Sequence, residues 1–188
     1  LPAALIIASL AALTYVSAPY VIEMTNTRQV EVLERMSANL SEEAMEAARA
    51  QLKDMTLSKL MLNSVLIGGA LLALGWVVRA TVVHLTSMAA GGRGTWATTF
   101  AAAGVWSMFP DVVRNIVQTL FVAVNHRAIE HGGLAFLAAS GDWLADSRSI
   151  GYNLLANIDP FAIWHLILLT VAIAASTKLG KGKAAAVA

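Results

Sequence analysis

Asp111, Arg114, Asn115 and Gln118 are the residues best placed to do chemistry in this chain. Their offsets of 0, 3, 4 and 7 put all four on one face of a helix. A carboxylate, a guanidinium and two amides on one face could line a path for an ion or a polar substrate. The same set could equally satisfy itself, through an internal ion pair and amides bonded to neighbouring helices. The stripe interrupts an apolar segment, Thr95 to Asn125, near its centre and beside Pro110. At bilayer depth each ionisable group costs at least about 2.5 kcal/mol, so such groups turn inward and pair. A self-paired stripe holding a helix bundle is the reading carried forward, with a transport path as its alternative.

Other chemistries lack their residues. His126-Arg127-Ala128-Ile129-Glu130-His131 invites comparison with zinc helices, whose two histidines stand four apart on one face. Here the spacing is five, about 140° around a helix, so no metal site is expected. His84 and His165 stand alone and read as packing or interface residues. Gly91-Gly92-Arg93-Gly94 lacks the lysine and hydroxyl of a phosphate loop and reads as a tight turn. No GxSxG, catalytic triad or carboxylate pair appears, and an aspartyl intramembrane protease would need a second carboxylate beside Asp111. With no cysteine, disulfides and thiolate metal sites are excluded. No basic patch with interleaved aromatics points to nucleic acid. The chain therefore reads as a non-enzyme without a cofactor.

What positions the stripe is an all-α transmembrane bundle. Charged residues make up 13% of the chain, against about 25% in soluble domains. The deficit is concentrated in long uncharged stretches that lack polar faces. The first span is Leu1 to Ile22, with Pro2 and Pro19 at its ends. Val16-Ser17-Ala18 resembles a signal-peptide cleavage site, but the uncharged run is long for one, and a retained helix is expected. Residues 26–56 read as two amphipathic helices outside the bilayer. Asn26 and Ser41 would be their N-caps, and Met45, Ala48, Leu52 and Met55 the apolar stripe of the second. This pair is expected to rest on the rest of the protein or the headgroups, with a partner-docking surface as the alternative.

The second span occupies about 60–80, with Arg79 snorkelling to an interface and Gly68, Gly69 and Gly75 allowing close helix contact. The third, 95–125, would be about 46 Å long as one straight helix, which overshoots the hydrocarbon. Pro110 is expected to kink or break it near the bilayer middle. Residues 126–159 read as an interfacial connection with one or two short helices, Trp143 and Tyr152 suiting the interface. Asp159-Pro160 caps and opens the fourth span, 160–177. Ala184 to Ala188 reads as the opening of a further apolar segment, so a fifth span beyond the C-terminus is expected.

Orientation follows from charge. Arg93, Lys178, Lys181 and Lys183 occupy short connections without acids, whereas the two long connections hold every acidic residue except Asp111. The positive-inside rule puts the four basic residues in the cytoplasm and residues 23–59 and 126–159 outside.

Several residues together resemble the Yip family of Ypt/Rab-GTPase-interacting proteins, in its prokaryotic branch. They are Pro2, the Gly91-Gly92-Arg93-Gly94 turn, Trp96, Pro110, and Asp159-Pro160-Phe161-Ala162-Ile163-Trp164. The resemblance covers most of the chain as a single membrane domain, 1–188. It implies five transmembrane helices with a cytoplasmic N-terminus, in a bacterial cytoplasmic (inner) membrane. Eukaryotic members bind small GTPases through long cytoplasmic N-terminal regions. No such region is seen here, and a GTPase partner is not expected. Some bacterial members resemble accessory subunits of ATP-driven exporters. The resemblance therefore implies a scaffold or accessory subunit, whose partners are the lipid bilayer and other membrane subunits, a transport ATPase among them.

Overall fold

The computed structural model describes residues 2–36 and 57–188 and, between them, residues 41, 43, 46 and 47. Among the described residues there are helices and turns but no strand. Among the described residues three helices are long and apolar enough to cross a membrane: Pro2–Arg35, Leu57–Ala89 and Pro160–Thr177.

Helix α1, Pro2–Met36, does not stop where a proline and an asparagine suggested an end. Pro19 lies inside it. The helix continues past the one missing backbone bond, with Thr27 bonding the Glu23 carbonyl and Arg35 paired with Glu31 in the turns beyond. Asn26 is no cap: it sits within the helix, and its buried Oδ1 accepts no hydrogen bond among the described residues. The first expected amphipathic helix is thus the polar end of the first span. The Ser41 cap, with the stripe Met45, Ala48, Leu52 and Met55, belongs to a helix expected largely outside the described residues.

The second span runs as α2, Leu57–Met61, a π-helical turn, Leu62–Ile67, and α3, Gly68–Ala89. The chain then turns at Gly91, whose φ of 90° favours glycine. At Gly94 a Cβ would collide with the Ser176 carbonyl, so only glycine allows this close approach.

The third segment is broken, as its proline demanded. It comprises α4, Trp96–Thr99, a π-helical turn, Phe100–Val105, a 3₁₀ turn, Trp106–Met108, and α5, Phe109–Asn125. Thr95 caps α4 through the Thr98 amide at 3.3 Å. Pro110 lies in the first turn of α5, where its missing N–H costs nothing. His126 ends α5 in the left-handed conformation, φ 52°.

The connection contains a 3₁₀ turn, Ala135–Leu137, and two short helices, α6, Trp143–Arg148, and α7, Ile150–Ala156. Helix α8, Pro160–Thr177, starts at the expected cap, with Asp159 accepting the Ala162 amide at 2.6 Å. Gly180 then leads into α9, Lys181–Val187, which buries Ala184 against the bundle while Lys183 bonds the Ala90 carbonyl.

Two apolar clusters hold these elements. Val83, Ala103, Leu169 and Ile173 join α3, the π-helical turn and α8. Ile6, Trp76, Val105 and Val112 join α1, α3 and both sides of the break. The opposite faces of α3 and α8 expose Leu71, Leu85 and Ile167, as helices do when lipid is their solvent.

The pairings fix how the helices run. Ser9 bonds Asn115 and Tyr20 bonds His126, both 106 positions apart, so α1 and α5 are parallel and in register. On α8 the numbers fall as those of the third segment rise: Arg93 pairs with Thr177, Ser107 with His165, and Arg114 with Asp159. That strand-like reckoning makes α8 antiparallel to the third segment. Consequently α1 lies along the part beyond the break and α8 along the part before it.

Candidate functional site

The ends of α1 and α8 meet at the break, and the polar stripe lies there. Arg114 is its centre. Its Nη1 lies 3.2 Å from Asp111 Oδ1, three residues back on the same helix. Its Nη2 lies 3.0 Å from Asp159 Oδ2 at the start of α8. Its guanidinium also sits over the Phe161 ring, 5.8 Å from the centroid. One carboxylate, Asp159, thus caps α8 and binds Arg114. Asn115 donates to Ser9 Oγ at 3.0 Å and ties the stripe to α1. Gln118 is half-buried one turn further along α5. Of the contacts expected of the stripe, the structure shows the ion pair and the Asn115 bond to α1.

The depth differs from expectation. Helix α8 has 18 residues, about 27 Å, and Asp159 is at the end away from Lys178. The stripe is therefore level with one end of that span rather than at its middle.

A second polar group lies one turn before the stripe, joining α3, the 3₁₀ turn and α8. Arg79 does not snorkel outward. It donates to Met108 Sδ at 2.8 Å, to Ser107 Oγ at 3.3 Å and to His165 Nε2. His165 Nδ1 bonds the Ser107 carbonyl at 2.7 Å. A carbonyl can only accept, so Nδ1 carries the proton and Nε2 faces the guanidinium as an acceptor. That network assigns a neutral imidazole with one defined tautomer. Two carboxylates, Asp111 and Asp159, and two guanidinium groups, Arg114 and Arg79, thus lie about the break.

Sequence reading saw Arg79 and His165 separately and missed that they meet. The available signal was that each is an isolated polar residue in an apolar span, and such residues need partners in the bundle.

The other singled-out residues serve the frame. His126 and His131 go to different tyrosines, Tyr20 and Tyr152, each at 3.0 Å. Gly91 and Gly92 form the turn, where the Gly92 amide bonds the Ser87 carbonyl at 2.8 Å. Trp164 packs edge-on against Phe109 beside Pro110, with centroids 6.3 Å apart. Asp159, Pro160, Phe161 and Trp164 are thus the α8 side of the junction.

These features define a polytopic helical membrane protein whose polar residues are spent on helix junctions. The Yip1 domain family model matches residues 1–188, and the chain belongs to that family of membrane proteins. No curated protein and no solved structure gives a match.

Proposed function

We propose that the protein is a non-enzymatic scaffold or accessory subunit of a membrane transport or trafficking assembly in the bacterial cytoplasmic membrane. The observation that carries this reading is Arg114 holding Asp111 and Asp159 together. Carboxylates paired across a helix junction serve as ties between helices, which supports a structural reading of the stripe. Its partners would be other membrane subunits, with a transport ATPase the foremost class. Arg93, through its backbone amide to the Thr177 carbonyl, and Lys183, through its ammonium to the Ala90 carbonyl, both stand around the Gly91–Gly92 turn and the end of α8. Such clustering supports an orientation with that end, and Lys178 and Lys181, in the cytoplasm. Affinity purification from native membranes in mild detergent tests the proposal. Stoichiometric recovery of membrane subunits is expected, and recovery of a lone monomer counts against it.

A second reading, a small transporter or channel, draws on Arg79. Among the described residues its hydrogen-bond acceptors are all neutral: Met108, Ser107 and His165. Reconstituted flux that disappears in Asp111→Asn or Arg114→Gln, with the fold intact, would support it. Absence of flux under every gradient tried would count against it.

A further inference from the structure

The connection between α5 and α8 carries an apolar surface that none of the described residues covers. The 3₁₀ turn exposes Phe136 and Leu137, the latter 67% exposed, and α7 exposes Ile150 and Leu154, at 78% and 64%. These are among the most exposed large apolar side chains of the protein, yet the segment is built with care. Leu134 N–H donates to the carbonyls of Leu155 and Ile158, both at 3.0 Å, clasping the turn onto α7. Gly133 makes the clasp possible: its φ is 47°, and a Cβ there would meet the carbonyls of Ile158, Ala156 and Leu155 within 2.8 Å. Ala135 is wholly buried beneath the turn.

Charge has been removed from this surface in two ways. Residues 132–140 and 149–157 contain no charged side chain. Of the carboxylates between them, Asp146 is buried against the Ser140 amide and hydroxyl, and Asp142 is paired with Arg35 at the surface. Exposed Arg148 stands at one edge and exposed Arg127 and Glu130 near the other, polar groups suited to the headgroup layer. Tyr152 offers a ring below and a hydroxyl bonded to His131.

We propose that this clasped turn-and-helix unit is a wedge seated in one leaflet of the bilayer, its partner being lipid acyl chains below the headgroup layer. What selects lipid is continuity. Exposed Ile158 leads directly to exposed Ile163, Trp164 and Ile167 on α8, the membrane-spanning helix. The one charge along that path, Asp159, is turned inward to Arg114. The apolar exterior of the span thus extends without interruption onto the wedge.

The full chain has no cysteine, so single labels can be placed cleanly. Leu137→Cys, Ile150→Cys and Leu154→Cys are spin-labelled one at a time in liposomes of phosphatidylethanolamine and phosphatidylglycerol. Exposed Ser147 on α6 provides the control, as Ser147→Cys. At the three wedge positions, collisions with oxygen are expected to exceed those with a water-soluble nickel chelate several-fold, with the reverse at position 147. Nickel access at the wedge equal to that at 147 would overturn the proposal, since the surface would lie in water. Shielding from both reagents would overturn it too, since protein, a second copy or another subunit, would then be the cover.

Discussion

Arg114 and Asp159, 45 positions apart, meet at 3.0 Å across the junction of α5 and α8. The same carboxylate holds the Ala162 amide at 2.6 Å. A residue that looks like a local helix cap is therefore also the point where two helices are joined.

The two duties of Asp159 can be separated. Asp159→Asn keeps a capping side chain and loses the charge on Arg114, and is expected to cost about 1 kcal/mol. Asp159→Ala loses both, and should cost about 1 kcal/mol more. Unfolding in mixed micelles measures the difference. Equal losses in the two variants would mean that the cap contributes nothing.

Arg79 and His165 should be energetically coupled. In a double-mutant cycle, Arg79→Ala and His165→Ala are expected to show a coupling of about 1 kcal/mol, the scale of polar pairs between membrane helices. Additive losses would remove the pair from the account of the bundle.

The glycines of the second span and its turn should behave oppositely. Gly94→Ala places a methyl against the Ser176 carbonyl and is expected to destabilise by about 1–3 kcal/mol. Gly75→Ala meets nothing within 4 Å and should be neutral or slightly stabilising in a helix interior. Thermal unfolding of the two variants decides whether close approach, rather than glycine content, matters.

The 140s region should loosen in acid. The Arg35 side chain holds the Asp142 carboxyl below its ordinary value, and the Ser140 amide does the same for Asp146, helped by the Ser140 hydroxyl. Both carboxyl groups are depressed in the folded protein, so their stabilisation is present above the ordinary value of 3.8. It is lost as pH falls through the lower folded values. Amide exchange across residues 140–149, read by mass spectrometry, should rise only below about pH 4. Asp142→Asn should remove part of that dependence. A transition between pH 5 and 8 would point to different groups.

Much of this was legible in the chain. The all-helical membrane character, the Gly91-Gly92 turn, the Asp159 cap and the break beside Pro110 followed from composition and from residues with one strong conformational demand. The same logic misled at Pro19 and Asn26, because both can sit within a helix when neighbouring turns are strong enough. Pro110 broke its helix where Pro19 did not. There the chain had already changed winding, through the π-helical and 3₁₀ turns packed around Gly104 and Ser107. The ion pair within the stripe was visible because three residues separate its members. The Arg79–His165 contact spans 86 positions and depends on how α3 and α8 pass each other, which no local pattern encodes.

The equal spacing of Ser9–Asn115 and Tyr20–His126 has a mechanical meaning. Two fasteners set the same distance apart on two parallel rods cannot be undone in turn by sliding. A slip of α1 along α5 by a single residue would break both at once, with no intermediate that keeps either. The pair therefore moves as one rod, and the break between Val105 and Pro110 lies outside the fastened length.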